Sequence, residues 1–413
     1  PAEIAMDTLE ASPFQPLAAI RVLDFSKVLA GPLCTQYLAD LGAQIIKVEA
    51  PDGDDTRRWP PFEGGDGTVF LAVNRNKRSL SIDLKTAAGL AICQQLASTA
   101  DVVIESYAPG VATRFGLGEA ALRALNPKLI YCSISGYGTQ GPMQEHKGFD
   151  LIAQSFTGML SITGEPGGPP VRSPFSPIDQ GTGMNMVIGI MGALMQRAQT
   201  GKGLRVDASL FDTAVGFLGY FLQGYWQRGT EPLRVAAGHE SLCPYQAFAT
   251  QDLPFILGVA NDSLWRSFCD AVGRHELAED PRFTTTAARV ANRAETVATV
   301  SEILSTRGRD EWMVLMEARG IPCAPVHTLG ELAHHPHTAA SEMVLNYQNR
   351  AGRNLHAVAT PLRIDGQRPA LRTPPPALGE HSLAILREQG YPDATVADWV
   401  AQGVVVDGSS HPA

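Results

Sequence analysis

Residues 20–49 read I-R-V-L-D-F-S-K-V-L-A-G-P-L-C-T-Q-Y-L-A-D-L-G-A-Q-I-I-K-V-E. Two apolar, β-branched runs, residues 20–25 and 44–49, flank a stretch that opens on Gly31-Pro32 and reads as a helix over 31–41. Strand, helix and strand in succession form the unit of a parallel sheet, because parallel neighbours need a crossover between them. The alternation continues with a weaker strand at 80–84, an amphipathic helix at 87–96, a strand at 101–105 (DVVIE), a helix at 119–125 and a strand at 129–134 (LIYCSI). The expected fold is α/β: a large Rossmann-like domain built on a parallel sheet. Such sheets place ligands beyond the carboxyl ends of their strands, so the loops after Phe25, Glu49, Glu105 and Ile134 are the places to search.

From Asp150 to Trp226 the pattern turns mainly helical. Residues 184–196 are apolar nearly all round, which predicts a helix buried on every side. Composition shifts around 233–244, residues 245–260 alternate as a hairpin does, and helical stretches follow at 263–272, 292–305 and 310–319. The expected organisation is a large domain over 17–230, a smaller inserted α/β domain over 236–335, and a return to the large domain over 340–413. Strands at 355–364 and a helix at 379–389 belong to that return, and residues 406–413 read as frayed.

The chain has 413 residues, more than one hydrophobic core of the usual size accommodates. With 33 Lys+Arg against 42 Asp+Glu it lacks the cationic excess of a nucleic-acid binder. No apolar run approaches the ~20 residues of a membrane span. The six cysteines stand apart, without metal-ligand spacing, so neither a metal nor a redox centre is expected. Residues 1–16 have neither the pattern of a secretory signal nor that of a transit peptide. A cytoplasmic location is the default, with the mitochondrial matrix as the alternative if a transit peptide has been removed.

The most informative segment for chemistry is 173–183, S-P-F-S-P-I-D-Q-G-T-G, directly before the apolar helix. Its one carboxylate, Asp179, has two compatible readings. One is a helix N-cap. The other is a carboxylate nucleophile, stabilised as an anion by the helix N-terminus and already ionised at neutral pH, so that it needs no general base. Arg172, close in sequence, has the geometry for a bidentate carboxylate contact. His239 sits in a Gly-containing loop at the expected domain junction, where sites concentrate. Arg57 and Arg58 follow an acidic run, Lys77 and Arg78 follow Asn74-Arg75-Asn76, and Lys85, Arg114 and Lys147 each lie near an expected strand end or loop, where together they could form a local anion site. Singly, each reads as a solvated surface charge.

Taken in order, the segments 22–32 (VLDFSKVLAGP), 46–57 (IKVEAPDGDDTR), 74–79 (NRNKRS), 101–110 (DVVIESYAPG), 129–138 (LIYCSISGYG), 197–203 (RAQTGKG) and 378–381 (LGEH) resemble the family III CoA-transferases. The resemblance runs from about Leu17 to Gln389. It implies that Asp179 is the residue that takes acyl from a CoA thioester, as an anhydride and then as an aspartyl-CoA thioester, and that two chains form an interlocked homodimer. By position it implies CoA contacts from Val28, Leu29, Ile82, Lys85, Ser106, Tyr107 and Arg114. Coenzyme A is the only cofactor implied, as co-substrate, with a small carboxylic acid as acceptor. An Arg found after the Lys-x-Glu strand in some relatives is Ala50 here, and a Lys of formyl-CoA transferase is Ser135. Segments A-G-H-E-S, P-V-R-S and D-D-T-R-R-W are most similar to the branch acting on dicarboxylates, with Arg172, His239 and Arg57 as the implied substrate contacts. The racemases of the same fold carry a His where this chain has Phe149, and His146 stands three positions away. A non-enzymatic CoA-binding protein is a further competing function. A nicotinamide-dependent oxidoreductase is more remote, because the early turn lacks its glycine fingerprint.

Overall fold

The computed structural model describes residues 14–409. Most of the segment 1–16, expected to carry no leader pattern, lies outside the described residues, and so does the fraying expected at 410–413. The chain divides into two compact units, one comprising the residues up to Thr157, Pro174–Phe217 and the residues from Pro336, the other Gly158–Ser173 and Leu218–His335. The second unit therefore takes in a short excursion before Asp179 and the helix Gly219–Arg228, both of which were expected in the large domain.

In the first unit the strands β1 (Arg21–Asp24), β2 (Gln44–Glu49), β3 (Lys77–Ile82), β4 (Val102–Glu105), β5 (Ile130–Ser135), β6 (Arg205–Ser209) and β7 (Val405–Val406) form one sheet. Its order is β7-β3-β2-β1-β4-β5-β6. All neighbours are parallel except β7, which runs antiparallel to β3 with Val405 opposite Ile82. Val406 is thus part of the sheet, and the expectation of fraying fails there because the edge of β3 offers it a ladder. β3 begins at Lys77 rather than at Leu80, since its two leading cations mask the strand pattern. β6 carries no apolar run at all, being a polar edge strand, R-V-D-A-S.

Successive strand residues point to opposite faces, so the sheet feeds two cores. Leu23, Val48, Leu80, Val103 and Tyr131 pack with the helix α2 (Ala87–Thr99) on one face. Val22, Ile45, Val102, Ile104 and Cys132 pack on the other with α1 (Ala30–Asp40) and with Met186 and Ile190. The helices α3 (Asp150–Phe156), α4 (Pro177–Thr200) and α5 (Leu210–Phe217) complete the part that matters for the site. α4 is not buried all round. Met186 and Ile190 are fully covered, but Ile188 and Met195 are 69% and 67% exposed, so one apolar face of the helix is open in the single chain. Among the described residues, no helix is long and apolar enough to cross a membrane.

The second unit has a three-stranded antiparallel sheet, ordered Cys323–Pro325, Phe255–Gly258, Tyr245–Phe248. Helices Asp262–Ala271, Arg293–Leu304 and Arg309–Ala318 cover a core of Trp265, Phe268, Phe283, Val300 and Trp312.

Candidate active site

Pro177 opens α4 as its first residue, where its missing N–H costs nothing. The helix's next two amide donors, of Ile178 and Asp179, have no partner within the helix. Both donate to one oxygen of Asp150, at 2.8 and 3.1 Å. The other Asp150 oxygen accepts from the Gln154 amide at 2.5 Å. Asp150, buried at the start of α3, is therefore the cap of α4, and Asp179 is not. Nothing local in the sequence signals this, because the cap comes from a separate segment 28 residues earlier.

Relieved of capping, the Asp179 carboxylate lines a cavity of about 240 Å³. The cavity's other walls are residues 27–31 after β1, 106–109 after β4, 134–136 at the end of β5, 146–149, and Leu210 at the start of α5. The first three are at the carboxyl ends of the parallel strands. Close helix packing brings Asp179 to them: a Cβ on Gly183 would lie 2.6 Å from the Ala30 carbonyl oxygen, and one on Gly181 would lie 2.3 Å from the Phe217 ring. The small residues of G-T-G let α4 press on both α1 and α5. Thr182 fixes the contact by donating to the Ile178 carbonyl and meeting the Thr213 hydroxyl at 2.9 Å.

Burial pushes the Asp179 carboxyl up to about 7, and the neighbouring Asp150 adds to the shift. This corrects the expectation of a carboxylate fully ionised at neutral pH. The helix amides that would have stabilised its anion are directed at Asp150 instead. At pH 7 Asp179 is divided between its two forms, which makes it a stronger base and nucleophile when ionised than an ordinary carboxylate.

Of the residues implied for CoA, Val28, Leu29, Ser106 and Tyr107 lie on this cavity with Asp179. The Ser106 hydroxyl accepts from the Lys27 amide at 3.0 Å, tying two of the loops together. Ile82, Lys85 and Arg114 do not line it. The Ile82 side chain is fully buried in the core beside Leu80 and Val405. Lys85 is exposed on the loop after β3, and Arg114 is exposed at the end of the short helix Val111–Arg114 after β4. Arg57 is committed elsewhere. Its five N–H donors go to both oxygens of Glu49, both oxygens of Asp66 and the Pro376 carbonyl, so none is left for a substrate carboxylate. Arg57 and Lys77 are both buried, against the expectation of solvated charges. Arg172 and His239 fall in the second unit, where His239 stacks on Tyr220 and accepts from the Ser241 amide through Nδ1. Lys27, His146 and Lys147 also line the cavity, and the sequence does not display that Lys27 joins the adjacent pair from more than a hundred residues away. Gly136 and Gly148 explain the last two, since a Cβ on either would strike the other's backbone, at 2.6 and 2.5 Å. That contact lays residues 146–149 over the end of β5.

The sequence model described as CoA-transferase family III matches residues 17–382. An acyl-CoA transferase of Fusarium pseudograminearum is 39% identical over 94% of this chain and 88% of its own length. Human succinyl-CoA:glutarate CoA-transferase is 35% identical over 96% of this chain and 91% of its own. The crystal structure of a CaiB/BaiF family protein from Brucella suis superposes with a TM-score of 0.81 at 37% identity, covering 91% of this chain and 99% of that one.

Proposed function

The chain belongs to CoA-transferase family III, and on that footing we propose that it moves CoA between a short dicarboxylic acyl-CoA, of the succinyl type, and a small dicarboxylic acid, with Asp179 as the covalent carrier. The observation that carries this reading is a largely buried carboxylate with a pKa of about 7, freed from capping and set at the cavity end of a helix. An ionised Asp179 oxygen attacks the thioester carbonyl, the C–S bond breaks, and CoA leaves as thiolate, giving a mixed anhydride. The thiolate attacks the Asp179 carbonyl carbon, releases the donor acid as carboxylate and leaves an aspartyl-CoA thioester. The acceptor carboxylate attacks that thioester, and the expelled thiolate takes the new acyl group from the second anhydride. Asp179 is regenerated and no proton is consumed. Holding the thiolate beside the anhydride supplies effective molarities of roughly 10⁵–10⁸ M, and water must stay out.

The small cavity suits an acyl group of a few carbons, and Lys27 and Lys147 on its lining suit a second carboxylate. Arg172 and His239 remain proposed contacts of that carboxylate. Unchanged dicarboxylate KM in Arg172→Ala removes that residue from the set. The exposed Ile188 and Met195 face supports a second copy of the chain as its cover, and hence a homodimer. His146 on the cavity lining is the one feature that favours racemisation instead, with a proton exchanged at the α-carbon.

The test is incubation with succinyl-CoA and other acyl-CoAs against a panel of small acids in D₂O, read by mass, with hydroxylamine added to parallel samples. Transfer without α-deuterium, and hydroxylamine modification at Asp179, are expected. Asp179→Asn should lose at least a thousandfold in turnover, about 4 kcal/mol of barrier. A residual rate within about tenfold, near 1.4 kcal/mol, ends the covalent role. Deuterium at the α-carbon without transfer makes the chain a racemase.

A further inference from the structure

We infer that Lys47 and Asp54 are positioning residues for the reaction: as a buried ion pair beneath the turn that follows β1, they hold Val28 in a left-handed backbone conformation that shapes a wall of the Asp179 cavity. The inference rests on the transferase reading and adds two residues that touch neither CoA nor acid.

Val28 has φ +70, a region that β-branched residues avoid. It is one of a few non-glycine residues with positive φ in the described chain, and it lines the cavity. Such a conformation is costly and persists only where the surroundings over-determine it, as they do at functional sites. Here the surroundings are identifiable. Lys47, on β2, is 1% exposed and donates to the Ser26 carbonyl at 3.0 Å and to Asp54 at 2.9 Å. Asp54, also 1% exposed, accepts from the Val28 amide at 3.3 and 3.4 Å to its two oxygens. The pair therefore grips the turn on both sides of Lys27, at the carbonyl before it and the amide after it. Asp54 is fixed in turn by the Thr56 amide and hydroxyl, at 3.0 and 2.8 Å. Burial alone would lower the Lys47 ammonium, but Asp54, Asp24 and Glu49 outweigh it and keep it charged. The Asp54 carboxyl, pushed up by burial, is held below its ordinary range by Lys47 and Thr56. Beyond Val28 the chain turns directly into α1, whose N-cap, Leu29, has no side-chain cap bond. The entry into that helix is set by the grip on the turn instead.

A double-mutant cycle against Val28 tests this. Lys47→Met with Asp54→Asn removes both charges together, while Asp24 keeps Lys77 and Glu49 keeps Arg57, so no buried charge is stranded and the fold is retained. Glycine takes the left-handed conformation freely, so in Val28→Gly the grip has less to do. The expected result is that the Lys47→Met/Asp54→Asn change lowers kcat/KM tenfold or more when Val28 is present, and threefold or less in the Val28→Gly background, with CoA affinity by calorimetry following the same pattern. An equal loss in both backgrounds, or no loss with Val28 present, overturns the inference. Should the charge-free pair fail to fold, Val28→Gly alone decides: a higher Tm with a lower kcat/KM supports held strain, and a lower Tm refutes it. Wild-type protein that binds CoA but transfers nothing sinks the transferase reading instead, and calorimetry still reads the cycle.

Discussion

Two groups of carboxylates, both withdrawn from solvent, flank the turn after β1, and they are treated in opposite ways. In the first, Glu49 is bound by Arg57 and Asp54 by Lys47, at 2.7 and 2.9 Å, and both carboxyls are held below their ordinary range against the pull of burial. In the second, Asp150 takes amide donors, and among the described residues no cation offsets the burial of Asp179, which rises to about 7. Neutralised charge builds a scaffold, since a paired ion has no free valence for a ligand. An unneutralised carboxyl costs stability and is tolerated where chemistry needs it. Among Glu49, Asp54 and Asp179, pairing with a cation separates the structural carboxylates from the reactive one better than burial does, because burial is common to all three.

The contrast breaks most visibly at Arg57. Arg57→Met leaves Glu49 charged, buried and without its main partner, a situation that costs about 3–5 kcal/mol. Urea unfolding should register that loss. Glu49→Gln added to it should recover at least half, because the more deeply buried of the two carboxylates that lose Arg57 is then neutral, while Asp66 is partly exposed. A single Arg57→Met variant within about 1 kcal/mol of wild type, a typical mild substitution, would remove the claim that this pairing is scaffold.

At Asp179 the sign reverses. Its folded pKa of about 7 lies above the unfolded value near 3.9, so the folded state binds the extra proton and stability falls as pH rises through about 4 to 7. Asn carries no such penalty. Asp179→Asn should match wild type in stability near pH 4 and exceed it increasingly up to pH 7, then level off. The side chain keeps some contact with solvent, so we expect a gain of about 1–2 kcal/mol rather than the full value of the shift. Calorimetric unfolding across that range checks it. A constant difference at all pH values would mean that Asp179 is an ordinary carboxylate.

How much of this is legible in the sequence follows from what each residue depends on. The parallel sheet can be read from periodicity alone, since β1, β2, β4 and β5 carry their own apolar runs. β3 shows only its second half and β6 stays hidden, because Lys77, Arg78, Arg205 and Asp207 gain partners that only the folded chain supplies, such as Asn74 for Lys77 and Glu119 for Arg205. Asp179 stands out by its setting among Pro, Gly and small residues, and those small residues are what let α4 approach its neighbours. Asp150 is invisible as the cap of α4, being a contact across 28 residues with no local signature. Arg57 reads as a surface or substrate cation because a sequence displays its charge and not Glu49, Asp66 and the Pro376 carbonyl that surround it. The open face of α4 misleads for a related reason. An all-apolar helix is a sound sign of burial, but the pattern does not say whether the covering surface belongs to the same chain.

The smallest effect, and the sharpest on the comparison, belongs to Asp150. Asp150→Asn keeps an oxygen for the Ile178 and Asp179 amides, so α4 stays capped, while the neighbouring charge is lost. A neutral acceptor is weaker than a charged one, and plateau turnover should fall by no more than about tenfold, near 1.4 kcal/mol. The informative quantity is the pH profile. With Asp150 neutral, one of the two causes that raise Asp179 disappears, and the acid limb of kcat moves to lower pH, though not to the ordinary carboxylate range, because burial is the larger cause and remains. The variant should then keep a larger fraction of its own plateau rate at pH 6 than wild type does of its own. A residue that only capped the helix would lower the plateau and leave the limb where it was, and that outcome would return Asp150 to the scaffold side of the comparison.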